Sequence, residues 1–383
     1  MDSKKLDAFA HKPPVVLLAL LLIAIFGFAS VHRLVYRFTS RQRVLAAQTF
    51  YRGLDAQRQN NLDTAIVDFR AALSYEPENY TYELNLAKAL LATARYEEAR
   101  TYLESLAERA PQDGEVNLQL ARLAVHDGNY DSAIRSYHRA IYGLWLSDAD
   151  ANRRRTRLEL VDYLLQHNQR TEAQAELIAS SASLPPDSTL HLNIADRFLR
   201  SGDLPDALDQ YRQVLRINPK SVDAHAGAGK AAFGLGEFAT AQRYLRTAVD
   251  LGTHDDQVPH LLETANLVLD SDPSRPNLTP AERRRRIATA FAQAGQRVSQ
   301  CIESMGLDSN ATPGNPLSEL QTSWRDLDPR MRNGAIRADL DTLADAMEIV
   351  IRIEEVSATD CGEPQGLDLA LVLIARNREG AER

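Results

Sequence analysis

The feature that most constrains this chain is a period. Pro77 and Pro111 stand 34 residues apart (111 − 77 = 34), and Trp145 follows one step later, where the pattern would allow another proline. Ala65, Ala99 and Ala133 keep the same spacing, as do Phe69, Leu103 and Tyr137. A fixed period of roughly 20–50 residues marks stacked supersecondary units. Small side chains such as Ala87, Ala121 and Gly229 let two helices of a unit approach closely. Large ones such as Phe69, Tyr137 and Phe238 fill the space between one unit and the next. A single unit of this kind cannot bury its apolar face alone, so stability comes from neighbours stacking.

The pattern can be followed unit by unit. The first unit, 46–79, reads Gly53, Leu62, Ala65, Phe69, Ala72 and Pro77. The second, 80–113, reads Leu86, Ala87, Tyr96, Ala99, Leu103 and Pro111, and the third, 114–147, reads Leu120, Ala121, Gly128, Tyr130, Ala133, Tyr137 and Ala140. After a six-residue slip at 148–153 come 154–187 (Leu160, Leu164, Ala173, Leu177, Pro185), 188–221 (Ile194, Ala195, Gly202, Leu204, Ala207, Tyr211, Pro219) and 222–255 (Ala228, Gly229, Gly236, Phe238, Ala241, Leu245, Ala248). These positions resemble the tetratricopeptide repeat. The departures are the missing tryptophan near the start of each unit, Asn168 and Arg170 at the fourth turn, and Thr253 in place of the last proline. The resemblance implies an all-α superhelical solenoid of helix-turn-helix repeats whose inner surface, lined by first helices, grips a protein or peptide.

Carrying the inner positions over by phase gives a candidate groove of Tyr51, Arg58, Asn85, Lys88, Gln119, Arg122, Asp162, Asn193, Asp196 and Lys230. Asn85, Gln119 and Asn193 share one phase; Lys88, Arg122, Asp162, Asp196 and Lys230 share another. Amides and charges on an inward face can read a peptide backbone or a terminal carboxylate. The bland alternative is a row of solvated helix faces. The sign changes along the strip, from Lys88 and Arg122 to Asp162 and Asp196 and back to Lys230, which suits an extended partner of mixed charge.

The N-terminus adds a membrane reading. Residues 15–31 (VVLLALLLIAIFGFASV) carry no charge, and their length sits at the short end of a bilayer-spanning helix. A run apolar on every side has no polar face for water. The rival is a cleaved signal peptide, with Lys4, Lys5 and Lys12 as the basic start and Gly27-Phe28-Ala29 as the cleavage site. We expect an anchor, with a tail at 1–14 and a juxtamembrane helix at 32–45. The flanking charges leave orientation open, with those three lysines before the segment and Arg33, Arg37, Arg41 and Arg43 after it. Cys301 and Cys361, the only two cysteines, suit a disulfide in an oxidising space. The expected location is therefore a bacterial inner membrane with the repeats periplasmic; facing the cytoplasm is the alternative.

Beyond the repeats, 256–271 reads as a capping helix and the proline-rich 272–280 as a linker. Residues 281–383 read as a small helical domain. Its first helix starts at Thr279-Pro280-Ala281-Glu282 and carries an apolar stripe through Ile287, Phe291, Val298 and Ile302. Residues Asn310–Pro316 read as a loop, and Ile336, Leu340, Leu343, Met347 and Ile351 as a second stripe. Arg283–Arg286 reads as a solvated helix start or a partner patch.

Chemistry is sparse. No His-Glu-x-x-His and no Gly-x-Ser-x-Gly occurs, and the nine histidines are scattered. Gly227-Ala228-Gly229-Lys230 lacks the upstream glycine and the following Ser/Thr of a phosphate loop. No metal site, cofactor or catalytic residue is expected. A net charge of −8 disfavours nucleic acid. The expected function is a membrane-anchored, non-catalytic interaction scaffold, with 15–31 in the lipid bilayer and a protein or peptide in the groove. The alternative is a chaperone or quality-control adaptor delivering clients to a membrane machine. Oligomeric state is open.

Overall fold

The computed structural model describes residues 13–182, 184–306, 315–334 and 340–382. Lys4, Lys5 and Lys12, most of the Asn310–Pro316 loop, and Ile336 lie outside the described residues. Within them the chain forms seventeen helices and no strand. Contacts divide it into two units, 1–160 and 161–383.

The first unit contains α1 (Pro13–Arg58), α2 (Leu62–Tyr75), α3 (Tyr80–Ala92), α4 (Tyr96–Arg109), α5 (Gly114–His126), α6 (Tyr130–Ile141) and most of α7 (Ala149–Gln166). Its turns repeat. Asn60, Ala94 and Gly128, each 34 residues from the next, take positive φ (59°, 58° and 68°). One residue later, the N–H of Asn61, Arg95 and Asn129 returns to the carbonyl of Ala56, Leu90 and Ala124 at 2.9, 2.8 and 2.9 Å. This six-to-one bond closes a helix on a left-handed residue. Helix starts repeat as well. The side chains of Asn61, Asn79, Asp113 and Asn129 each accept an N–H from the first turn they cap.

Packing follows the small-and-large code. Ala65, Phe69, Leu86, Ala99 and Leu103 are fully buried. The Phe50 ring lies 5.6 Å from that of Phe69 and 4.5 Å from that of Tyr82, joining repeat 1 to repeat 2. A Cβ at Gly53 would meet the Phe69 ring at 2.6 Å, so the glycine is what lets α1 approach α2. Trp145 does not act as a proline would. The chain after α6 folds back, Leu144 exchanges backbone bonds with Gln112 (2.7 Å) and Gly114 (2.8 Å), and the indole N–H donates to the Ala140 carbonyl (2.9 Å).

The second unit holds the end of α7, α8 (Arg170–Ser181), α9 (Ser188–Ser201), α10 (Leu204–Ile217), α11 (Val222–Gly234), α12 (Phe238–Asp250), α13 (Gln257–Ser271), α14 (Pro280–Ser304), α15 (Pro316–Gly334), α16 (Leu340–Asp360) and α17 (Gly366–Glu382). Asn168, Gly202 and Gly236 take positive φ at the turns within its repeats, again 34 apart. The step from Gly128 to Asn168 is 40, one period plus the six-residue slip.

The last helices do not repeat, yet they continue the repeat core. Phe238 of α12 and Val268 and Leu269 of α13 share one apolar cluster with Ile287, Phe291, Val298, Leu317, Met347 and Leu371. The proline-rich stretch before α14 is tied down: Arg283 donates to the Pro273 carbonyl (3.1 Å), and Arg286 to those of Leu269 (2.8 Å) and Asp272 (3.0 Å). Trp324 of α15 stacks on Phe291 at 5.2 Å over Gly295, where a Cβ would meet the indole at 2.2 Å. Cys301 and Cys361 are disulfide-bonded, with Cα atoms 5.5 Å apart.

One residue in this core is anomalous. Glu354 of α16 is 1% exposed, and neither carboxylate oxygen has a hydrogen-bond partner. Burial first, then the nearby negative charge of Asp368, pushes its carboxyl up to about 8, with Arg297 pulling the other way.

Candidate partner-binding face

The candidate groove residues sit on the first helices of the repeats, and each unit arranges them differently. In the first unit, Tyr51 is exposed on α1, and Arg58 pairs with Asp55 one turn away. Asn85 of α3 turns its amide back to the Thr81 carbonyl (2.8 Å). These three stand apart from one another. The structure connects the others. Lys88 reaches Glu115 (3.0 Å), which also accepts the amide of buried Gln119 (2.8 Å). Arg122 grips Glu159 through two bonds of 2.9 Å, and Tyr137 adds a third at 3.1 Å. The Glu159 bonds hold the Arg122 guanidinium even more firmly protonated than usual.

In the second unit, Asp162 accepts Arg197 (2.6 Å) and Arg200 (3.1 Å). Asn193 repeats Asn85, donating to the Thr189 carbonyl at 2.8 Å. Lys230 meets Asp255 at 2.5 Å, and that ammonium draws the Asp255 carboxyl below the usual range. Asp196 accepts the Tyr211 hydroxyl at 2.7 Å. Burial, with Asp196 and Asp223 adding to it, keeps that hydroxyl un-ionised.

Most of the expected charges are therefore answered from within the chain. Their partners, Glu115, Glu159, Arg197, Arg200 and Asp255, are the residues that phase reasoning missed. Glu159 was reachable: it falls in the phase of Gln119 once the slip is counted (159 − 119 = 40). Gly227 falls in the same phase, one period after Asn193. It lies within α11, as does the Gly227–Lys230 tetrapeptide. There it lines a cavity of about 580 Å³ together with Asp196, Tyr211, Asp223, Lys230 and Asp255 among others. No group of three His, Cys, Asp or Glu side chains placed to hold a metal occurs among the described residues.

The surface of α1 differs in kind. Leu17, Leu18, Leu20, Leu21, Leu22, Ile23, Ile25, Phe26 and Phe28 are all more than half exposed. Among the described residues this is the one helix long and apolar enough to cross a membrane.

Comparison with known proteins follows this geometry. Two family models, both described as tetratricopeptide repeat, match residues 56–123 and 95–142, and residues 158–222 and 192–256. Among solved structures the chain is similar to YrrB, a TPR protein with an unusual peptide-binding site, at 19% identity over 50% of this chain and 96% of that one, with a TM-score of 0.39. It is similar to the C-terminal part of a TPR repeat-containing protein from Cytophaga hutchinsonii, at 13% identity over 62% and 93%, TM-score 0.46. It is also similar to PilW, a type IV pilus biogenesis factor, at 17% identity over 57% and 98%, TM-score 0.40. The repeating turns, the small-and-large packing and the matched segments agree, and residues 56–142 and 158–256 of this chain are tetratricopeptide repeats.

Proposed function

We propose that the chain is a membrane-anchored, non-catalytic scaffold. Residues 15–31 hold it in a bilayer, and the first-helix faces of its repeats receive an extended segment of a partner protein. The observation that carries this reading is the continuity of α1. One helix, Pro13–Arg58, runs from a stretch of exposed apolar side chains into the buried Ala46, Phe50 and Ala56 of repeat 1. A helix with no polar face over one half and a packed face over the other belongs in two solvents. Arg33, Arg37 and Arg41 stand between the halves, where each positive charge near anionic headgroups adds about 1 kcal/mol. The Cys301–Cys361 bond favours an oxidising compartment for the repeats, hence the periplasmic side of a bacterial inner membrane.

Alkaline carbonate washing of membranes from cells expressing the full chain tests the anchor: the protein should stay in the pellet, and its release would sink anchoring. Reporter fusions at Arg383 test orientation, with periplasmic activity expected and cytoplasmic activity overturning that side. In-cell crosslinking followed by mass spectrometry should then recover a specific protein partner, and recovery of none would remove the scaffold reading.

A further inference from the structure

Opposite charges join the first helices of repeats 2 and 3, 3 and 4, and 4 and 5, and a further pair closes repeat 6. Lys88 meets Glu115, Arg122 meets Glu159, Asp162 meets Arg197 and Arg200, and Lys230 meets Asp255. Asp196 belongs to the same phase but receives no cation. At the Lys88–Glu115 offset (115 − 88 = 27) stands Asp223, a like charge. At the Arg122–Glu159 offset, with the slip removed (159 − 122 − 6 = 31), stands Gly227, which has no side chain. Among the described residues neither Asp196 nor Asp223 makes an ion pair.

Asp196, Asp223 and Gly227 line one cavity of about 580 Å³. Tyr211 lines it too, and its ring packs on Gly227, where a Cβ would meet it at 2.1 Å, so position 227 admits no side chain. The Tyr211 hydroxyl is already spent on Asp196 (2.7 Å), and Lys230 on Asp255 (2.5 Å). Asp196 and Asp223 both line this opening. The step lacks one positive charge and has room for the group that would carry it.

We propose that this cavity takes a basic side chain, Arg or Lys, from the partner segment, whose cation completes the step that Asp196 and Asp223 leave open. The proposal rests on the scaffold reading above and names the chemistry of what the second unit's first-helix face selects. Cations seated between carboxylates in a partly enclosed site gain charge-assisted hydrogen bonds that a neutral isostere cannot make.

The test uses the full chain in detergent micelles and short fluorescent Gly–Ser peptides with one central Arg, citrulline or Glu, followed by fluorescence anisotropy. The Arg peptide is expected to bind about tenfold tighter than the citrulline peptide, and the Glu peptide most weakly. Asp196→Asn with Asp223→Asn should erase the preference while leaving Tm close to that of the unaltered protein, since neither carboxylate holds an ion pair. Asp196→Asn alone, which still accepts the Tyr211 hydroxyl, should lose part of the preference and guards against misfolding of the double variant. Equal binding of Arg and citrulline peptides, no binding of the Arg peptide at millimolar concentration, or a preference that survives the double variant would each overturn the cavity assignment. If crosslinking recovers a partner while the Arg preference is absent, the scaffold reading stands and the cavity assignment falls. If the preference is present but no partner is recovered, the scaffold reading falls alone.

Discussion

The repeats of the first unit and the closing helices α14–α17 of the second are both all-helical, but they are held together over different distances along the chain. In repeats 1–3 nearly every stabilising contact lies within one period. A left-handed turn residue, a cap three residues from its N–H at Asn79 and Asp113, and a buried alanine followed four residues later by a bulky apolar side chain recur at 34-residue steps. In α14–α17 the ties are single and distant. Cys301 reaches Cys361, Gln293 reaches Asp368 (2.8 Å), Arg297 reaches the Gly362 carbonyl (2.9 Å), and Trp324 covers Gly295. Repetition spreads stability over many small, similar terms; without it, a few long-range contacts must each do more.

The chain's two tryptophans make this difference measurable, because Trp145 lies in the first unit and Trp324 in the second. The largest effect is expected from Cys301→Ala with Cys361→Ala. Opening a loop of 60 residues should remove about 4 kcal/mol in the chain-entropy view. The loss should appear in the Trp324 transition during urea unfolding, leaving that of Trp145 in place. An equal shift of both transitions would break the comparison.

Next comes Glu354→Gln. With the folded carboxyl raised to about 8, Glu354 weakens the fold little below its ordinary range, increasingly as pH rises, and fully above 8. The substitution should therefore stabilise α14–α17 by about 3 kcal/mol near neutral pH and by little at pH near 4. Urea midpoints from Trp324 at acidic and mildly alkaline pH would check it, and a pH-independent gain would remove the titration account.

Ala94→Gly should act on the repeats alone. Alanine at φ 58° carries a backbone penalty that glycine lacks, so a gain of about 1 kcal/mol is expected in the Trp145 transition. No gain, or a loss, would mean that the surrounding hairpin already accommodates Ala94 without strain. The smallest effect is Lys88→Ala, a few tenths of a kcal/mol, because its pair with Glu115 is partly solvated. A loss several times larger would show that the inter-repeat charges carry more of the stacking than apolar contacts do.

Much of the repeat architecture was legible in the residues. The turns were legible because the period marks them even where the residue is not glycine. Asn60 and Asn168 tolerate the left-handed region, and Ala94 is carried there by its neighbours. The caps at Asn61, Asp113 and Asp187 were legible as a residue type. Trp145 was legible as a position but not as a role. At the step of a proline it is an indole lying against Gly114, fixed by a chain reversal that no local pattern announces.

The candidate face was half legible. Phase arithmetic named Lys88, Arg122, Asp162, Asp196 and Lys230, yet it treated them as groups awaiting a partner. The structure pairs three of the five with charges on the neighbouring repeat, and Lys230 with Asp255 at the end of its own. What this chain's sequence determined by itself is whatever acts within one period: which residues turn, cap, and pack small against large. Those choices are made by backbone sterics and by side chains a few residues apart. Only the tertiary structure decided which charges cancel, which glycine receives an aromatic ring instead of making a turn, and which carboxylate is stranded in the core. Each of those depends on the distance between side chains that helix stacking, and nothing local, brings together.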